Sequence, residues 1–197
     1  MEEHSGTAPE LSGRRLKLRA LRREDSGALL RCWSHPEAAS WLGVEPLASE
    51  AEAEELIRLL LEMEHEEESL RWSIELPGGE VIGSCGYNSW QLTGAFRGEV
   101  GFELSPAFWG RGYMREALAL ALRYGFEEME LNRVEAQCHP ANLRSSRLLS
   151  SLGFSREGTL REYRHTPSGF QDVDLYALLR RDWRDLITLE REKDNRT

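Results

Sequence analysis

Two glycines flank an arginine in the stretch SPAFWGRGYMREAL (105–118), directly before a run of helix-forming residues. Glycine destabilises a helix by about 0.5–1 kcal/mol relative to alanine, so Gly110 and Gly112 indicate a turn that needs bare backbone. Because the turn follows a predicted strand and opens a helix, its N–H groups and the positive end of the helix dipole could hold an anion. The stretch therefore predicts a phosphate-binding turn, although the glycine pattern alone suits an ordinary helix entry with surface arginines equally well.

Arginines accompany this turn. Arg111 and Arg115 lie one helical turn apart beside it, and Arg144 and Arg147 lie at the start of the next predicted helix. Arg111 and Arg115 could both reach one phosphate region, and Arg144 and Arg147 would add positive charge nearby if the strands before the two helices are neighbours. Two other nucleotide sites fail on spacing, because no Lys-Ser or Lys-Thr follows the last glycine, and the third glycine and the acidic residue of a dinucleotide fingerprint are missing.

Composition favours one globular domain. The chain has 197 residues, of which 40% are hydrophobic, and no run of eighteen apolar residues occurs. The N-terminus lacks a basic region followed by an apolar one, so we expect neither a signal peptide nor a membrane span, and a cytoplasmic location. Three widely spaced cysteines predict free thiols and no metal site. A net charge of −9 argues against nonspecific nucleic-acid binding and is compatible with a cationic partner.

Alternating and helical hydrophobic patterns predict the order strand, two helices, three strands, helix, strand, helix, two strands. We interpret this order as an α+β fold, an α/β/α-like sandwich. Its mixed, mostly antiparallel sheet has about seven strands, with helices on both faces. The expected organisation is a flexible tail over 1–12, one domain over 13–185 and a polar tail over 186–197. A capping box at Ser49 and Glu52 predicts the start of the second helix, and the acidic run 64–68 is expected to be its solvated end.

Two motifs in order, GEVGFELSPAFWGRGYMREAL (98–118) and HPANLRSSRLLSSLGF (139–154), carry a family resemblance. They resemble the GNAT superfamily of acetyl-CoA-dependent N-acetyltransferases, and more narrowly its RimJ/RimL type, the ribosomal-protein N-terminal acetyltransferases. The resemblance covers about residues 14–183. The family's pyrophosphate loop, Q/R-x-x-G-x-G/A, falls on 109–114, where Trp109 and Met114 replace the usual first and last residues. We therefore expect the backbone of this loop, rather than those side chains, to bind the cofactor.

The resemblance implies acetyl-CoA as cosubstrate and a cleft between two parting strands that receives its pantetheine arm. It places Asn142 against that arm and implies that Ser145 protonates the departing thiolate. The residues expected to contact the cofactor are Phe102, Glu103, Leu104, Trp109, Gly110, Arg111, Gly112, Tyr113, Met114, Arg115, Asn142 and Arg147.

Amine acetylation also needs a group that takes the amine proton, directly or through water. Glu103, on the strand beside the expected thioester, is the first candidate for this catalytic role, followed by Glu99 and Glu135. The glutamate that RimL-like enzymes carry ahead of the hairpin strand falls near Arg71 here, with Glu68 close by, so it does not transfer. A solvated or salt-bridged strand residue is the competing interpretation of each glutamate.

The acceptor is left open between several classes. The resemblance favours a primary amine such as a ribosomal-protein N-terminus, and the acidic net charge would attract a basic peptide. A small amine (an antibiotic, a polyamine or an aminoacyl compound), a non-catalytic acyl-CoA-binding module and a structural partner domain are the alternatives. We expect no membrane or nucleic-acid partner, and either a monomer or a homodimer. Trp33, Trp41 and Trp90 fall in segments that line the acceptor mouth in RimJ/RimL relatives.

Overall fold

The structure is a computed structural model that describes residues 8–42, 45–66 and 68–184. The strands are β1 (Leu11–Ser12), β2 (Lys17–Ala20), β3 (Leu70–Glu75), β4 (Val81–Gln91), β5 (Arg97–Leu104), β6 (Arg133–Cys138), β7 (Ser155–Thr166) and β8 (Gly169–Leu179). The helices are α1 (Ser26–Trp33), α2 (Pro36–Leu42), α3 (Glu50–His65), α4 (Tyr113–Glu127) and α5 (Leu143–Ser151). In the described ranges, no helix combines the length and apolar character that crossing a bilayer requires.

One mixed sheet contains all of these strands, in the order β1-β2-β3-β4-β5-β6-β8-β7. Each neighbouring pair is antiparallel except β5 and β6, which run parallel. The predicted α+β class and mostly antiparallel sheet are therefore confirmed. The sheet has eight strands rather than about seven because the two-residue β1 extends one edge.

The two faces of the sheet carry different side chains because neighbouring residues of a strand point to opposite faces. Trp72 and Tyr87 lie on the face that packs against α4, where the Trp72 ring meets Tyr124 at 5.4 Å and the Tyr87 hydroxyl donates to the Ala121 carbonyl at 3.1 Å. Leu149 of α5 joins the same apolar cluster. Helices α1 and α3 cover the opposite face, which confirms helices on both sides of the sheet.

The N-terminal residues 8–12 pack against this domain, whereas the sequence analysis placed them in a loose tail. Ala8 is buried, the Pro9 carbonyl accepts a hydrogen bond from Trp72 Nε1 at 2.7 Å, and Leu11 and Ser12 pair with β2. Residues 8–12 therefore belong to the folded domain. Residues 1–7 and the expected tail over 186–197 lie outside the described residues, so those boundaries stay predictions.

Helix α3 begins as expected, since Ser49 Oγ accepts the Glu52 N–H at 3.3 Å. At its end His65, Glu66 and Glu68 are exposed, as expected of a solvated acidic run, but Glu64 is not. Glu64 is 5% exposed, and its Oε1 accepts the Ala8 N–H at 2.7 Å. Burial raises the pKa of Glu64, and the hydrogen bond from Ala8 opposes that rise. This carboxylate anchors the N-terminal segment instead of facing water.

Helix α2, which the sequence analysis did not identify, begins at Pro36. Proline suits the first turn of a helix because the missing N–H would have no partner there. Glu37 pairs with Arg144 of α5, and the Trp41 ring lies 5.4 Å from that of His139, so α2 lies beside the carboxyl end of β6.

Candidate active site

A cleft opens between the two parallel strands. Their pairing runs from Arg97 and Arg133 to Val100 and Ala136 and stops there, although β5 continues to Leu104. Parallel strands end at the same edge of a sheet, so α4 and α5, which follow them, both start beside this cleft. The parting of these strands, expected from the sequence, is present in the structure.

The glycine turn before α4 has the geometry of an anion cradle. Gly110 and Gly112 have φ angles of +73° and +77°, in the left-handed region that favours glycine. Gly112 is the N-cap of α4 and has no side chain with which to cap the helix. The N–H groups of the first helical turn therefore keep their bonding capacity for a ligand. Apart from Gly110 and its two neighbours in sequence, the described residues place no heavy atom within 4 Å of the position that a Cβ on Gly110 would take, so the backbone can be approached closely.

Arg15, which the sequence analysis did not identify, holds this turn from the segment before β2. Its Nη1 donates to the Arg111 carbonyl at 2.9 Å, and its Nε donates to Glu116 Oε2 at 2.8 Å. Its guanidinium also lies 4.7 Å from the centre of the Tyr113 ring. Burial opposes ionisation of Glu116, but the hydrogen bonds from Arg15 outweigh it and keep the pKa of that carboxyl below its usual value.

The other residues predicted at the turn differ in what they can offer a ligand. Met114 is buried in the core, so only its backbone is available. The Arg111 guanidinium lies 5.9 Å from the centre of the Phe108 ring, and Arg115 and Arg147 are exposed. The side chains of Arg111, Arg115 and Arg147 remain predicted cofactor contacts.

Side chains from three segments meet at the mouth of the cleft. Trp109 Nε1 donates to the Leu104 carbonyl at 2.7 Å, so one backbone group expected to bind pantetheine already has a partner. The Arg144 guanidinium lies 3.9 Å from the centre of the Trp109 ring and forms an ion pair with Glu37 at 2.7 Å. The charge that Arg144 was expected to add near the phosphates is therefore directed at Glu37 of α2.

The start of α5 presents a free hydroxyl. Asn142 is its N-cap, and Asn142 Oδ1 accepts the Ser145 N–H at 3.1 Å. Ser145 is half-buried, and its hydroxyl makes no hydrogen bond to another residue of the described chain. The capping function that serine could have served belongs to Asn142, which leaves the Ser145 hydroxyl available to a ligand. The predicted contact of Asn142 with pantetheine and the catalytic role of Ser145 stay predictions.

Glu103, the first candidate for proton acceptor, lies in a buried polar cluster beneath α1. One oxygen accepts hydrogen bonds from the Ser84 hydroxyl and from Trp33 Nε1, the latter at 3.3 Å, and the other accepts from Arg71 Nη2. Arg71 also donates to Asn88 Oδ1 at 3.1 Å. To take a proton, this carboxylate would have to give up a buried ion pair. The contacts of Glu103 thus favour a structural function over the predicted catalytic one.

Glu99 and Glu135 lie side by side on the same face of the sheet, one position before the last pair of β5 and β6. Glu135 forms ion pairs with Arg97 at 3.0 Å and with Arg133 at 2.7 Å. Glu99 instead accepts hydrogen bonds from two neutral amides, Asn88 Nδ2 at 3.3 Å and Gln137 Nε2 at 2.8 Å. Of the three candidate glutamates, only Glu99 has no cationic partner among the described residues.

The location of the helices determines from which side a second substrate can enter. Helices α4 and α5 pack on one face of the sheet, and the core fills the space beneath them. Glu99 is half-buried on the opposite face. An amine that approaches a group held between β5 and β6 from the Glu99 side meets neither α4 nor α5.

The cysteines offer no competing chemistry. All three are buried and free, and burial raises the pKa of Cys85 to about 12 and that of Cys138 to about 11. Within residues 8–42, 45–66 and 68–184, no three His, Cys, Asp or Glu side chains are grouped as a metal site.

Comparison with known proteins identifies the family. The sequence matches the family described as the acetyltransferase (GNAT) domain over residues 15–155. This chain belongs to the GNAT family. It is 35% identical over 170 residues to the uncharacterized N-acetyltransferase p20 of Bacillus licheniformis, covering 86% of this chain and 95% of that protein. The GNAT assignment makes the chain an acetyl-transferring enzyme, and the family uses acetyl-CoA.

Two further relatives of this GNAT enzyme act on different amines by name. The [ribosomal protein uS5]-alanine N-acetyltransferase of Escherichia coli is 33% identical over 105 residues, covering 53% of this chain and 54% of that protein. The structure of spermidine N-acetyltransferase from Vibrio cholerae, in complex with CoA and spermine, has a TM-score of 0.74 and 25% identity. It covers 86% of this chain and 98% of that chain.

Proposed function

We propose that this GNAT enzyme transfers the acetyl group of acetyl-CoA to the N-terminal α-amino group of a protein. The observation that carries the proposal is the cleft: β5 and β6 part directly beside an uncapped helix N-terminus. A diphosphate on the amides of the turn would leave the attached pantetheine arm at the entrance of the cleft. When bound, acetyl-CoA supplies the thioester carbonyl that the amine attacks.

The residues of the turn fit the diphosphate for three reasons. Gly112 leaves the first-turn N–H groups of α4 uncapped. The helix dipole adds about half a positive charge at the same end. Gly110 leaves open space beside the backbone, so oxygen atoms can approach to hydrogen-bond distance.

Glu99, rather than Glu103, is the proposed acceptor of the amine proton. It lies one position before the strands part, on the face that α4 and α5 leave uncovered. Neutral amides hold both of its oxygens, so no ion pair has to break before it takes a proton. Glu103 and Glu135 each have an arginine partner. This part of the proposal replaces the order of candidates given by the sequence.

Ser145 is proposed to protonate the departing thiolate. Its hydroxyl has no partner in the described chain, and the residue lies in the first turn of α5 at the carboxyl end of β6. A hydroxyl held by a helix start next to the cleft can donate to sulfur there without disturbing the fold.

A protein N-terminus is favoured over a polyamine because only one of the three candidate glutamates lacks an arginine partner among the described residues. Glu99 is the one glutamate of the three that could receive a positive charge without competition from arginine. A single carboxylate matches a single amine, whereas a polyamine carries several positive charges that each need a partner. The uS5-alanine acetyltransferase relative agrees with this choice, and the net charge of −9 would attract a basic protein terminus.

A turnover screen tests the acceptor. Free CoA thiol is measured with acetyl-CoA and three classes of amine: peptides that copy basic ribosomal-protein N-termini, the same peptides with a blocked N-terminus, and spermidine. The proposal expects thiol release with the free peptides only. Equal turnover with blocked peptides would assign the reaction to lysine side chains, and turnover with spermidine alone would assign it to polyamines. Either result would contradict an N-terminal acceptor.

The variant Glu99→Gln tests the proton acceptor, with Glu135→Gln as matched control on the neighbouring strand. Loss of a general base lowers turnover by about 10²–10⁴-fold. We expect Glu99→Gln to lose turnover on this scale and to bind CoA as the wild type does, whereas Glu135→Gln should keep turnover within about threefold. Unchanged turnover in Glu99→Gln would refute the assignment.

A further inference from the structure

We propose that Arg15 is a positioning residue for the coenzyme turn, because it fixes the peptide between Arg111 and Gly112 with its N–H directed at the diphosphate. This inference rests on the proposed function only for the identity of the ligand, a CoA diphosphate. Arg15 lies 96 residues before Arg111 in the sequence, outside both motifs of the family resemblance.

Arg15 contacts the turn through its guanidinium. Arg15 Nη1 donates to the carbonyl oxygen of Arg111 at 2.9 Å. In a trans peptide the carbonyl and the following N–H point in opposite directions. A carbonyl held towards Arg15 therefore turns the Gly112 N–H away from Arg15, towards the open side of the turn.

The peptide between Arg111 and Gly112 needs a restraint from outside the turn. Gly110 and Gly112 both adopt positive φ angles, and glycine has the greatest conformational freedom of any residue. An exposed turn with two glycines can rotate its peptides at little cost, and a ligand that needs one orientation must then order it on binding. A residue that orders the turn beforehand improves affinity by removing that cost.

The Arg15 side chain is itself held in place by α4. Its Nε donates to Glu116 Oε2 at 2.8 Å, and its own backbone N–H donates to Glu116 Oε1 at 2.8 Å. The guanidinium lies over the ring of Tyr113 at 4.7 Å. Glu116 and Tyr113 belong to the first turn of α4, so Arg15 joins the turn to the start of the helix that it precedes.

The guanidinium of Arg15 is engaged by the protein itself. Its Nη2 lies 3.4 Å from the position that a Cβ on Gly112 would take, and its Nη1 and Nε donate to the Arg111 carbonyl and to Glu116. The effect of Arg15 on the diphosphate therefore passes through the backbone that it orients.

The test compares three variants in the full chain. Arg15→Met keeps much of the side-chain length and removes the donors, and Arg15→Lys keeps the charge but cannot hold the carbonyl and the carboxylate together. Arg14→Met is the matched control, since it removes one positive charge from the adjacent exposed residue. CoA binding is measured by calorimetry, and the KM values for acetyl-CoA, acetyl-pantetheine and the amine are measured separately.

We expect Arg15→Met to weaken CoA binding at least tenfold, Arg15→Lys to lie in between, and Arg14→Met to stay within about twofold. The KM for acetyl-CoA should rise with the dissociation constant, while the KM for the amine and for acetyl-pantetheine, which lacks the diphosphate, should not. A general structural defect would raise all of these constants together.

Equal CoA affinity in Arg15→Met and Arg14→Met would overturn the inference, as would an equal loss with acetyl-pantetheine. If Arg15→Met fails to fold, Arg15→Lys decides the same comparison. A wild type that binds CoA but acetylates no amine would contradict the proposed function and leave the effect of Arg15 on CoA measurable. A wild type without CoA affinity would overturn both.

Discussion

Replacing Glu103 by glutamine separates a structural from a catalytic function of this residue. The side chains of Glu103 and Arg71 are 8% and 10% exposed, and their ion pair is joined by the Ser84 hydroxyl and Trp33 Nε1. Glutamine has almost the same volume but no charge. The variant therefore leaves the Arg71 guanidinium buried without a counter-charge.

The expected cost follows from that burial. Removing one partner of a buried ion pair destabilises a protein by about 3–5 kcal/mol. In a chain of this size each kcal/mol lowers the melting temperature by about 2–4 °C, so Glu103→Gln should melt about 6–20 °C below the wild type. Replacing both partners, in the double variant Arg71→Met/Glu103→Leu, should restore much of the loss because no unpaired charge remains.

The assay combines chemical denaturation with a pH–rate profile of acetyl transfer, measured well below the melting temperature of the variant. We expect Glu103→Gln to keep the acidic limb of the profile, since Glu103 is not the proton acceptor in this account. Stability within about 1 kcal/mol of the wild type, together with loss of the acidic limb, would refute the reasoning and restore Glu103 as the proton acceptor.

The remaining predictions concern the glycine turn before α4 and the Ser145 hydroxyl. Gly112→Ala places a side chain in the left-handed region, which costs about 1–2 kcal/mol and should weaken CoA binding by about 5–30-fold in calorimetry. Gly79→Ala, at a φ of +92° in the hairpin before β4, should leave binding unchanged; equal losses in the two variants would contradict the cradle. Ser145→Ala should lower kcat by about 10²-fold or more at constant KM, while Ser146→Ala should leave both kcat and KM unchanged. Equal kcat values in these two variants would leave Ser145 without a catalytic role.

Local patterns in the sequence sufficed for most of the fold. Alternation of apolar residues located the strands, and the capping pair at Ser49 located the start of α3. The short elements were missed for a physical reason: α2 has seven residues and β1 has two, too few for a hydrophobic period to be recognised. Burial of Glu64 was also missed, because it depends on contact with Ala8, far away in the sequence.

The candidate site, like the fold, was predictable where it depends on neighbouring residues in the sequence and not where it depends on distant ones. The glycine turn could be predicted because bare backbone at a helix start is a local property. The partners of the charged residues could not, because they come from distant segments: Arg15 and Glu116 are 101 residues apart, and Arg71 and Glu103 are 32 apart. The sequence pattern therefore selected Glu103 as proton acceptor without any sign of the arginine that binds it.

The most direct test of the account is a titration of the isotope-labelled protein with CoA, followed by NMR of the backbone amides. The account predicts the largest shift changes at Gly112 and Tyr113 in the turn and at residues 101–104 of β5, with small changes at the far end of the sheet. Saturable binding that leaves these amides unchanged, and instead shifts amides elsewhere, would contradict a diphosphate on the helix start and a pantetheine arm between the parted strands.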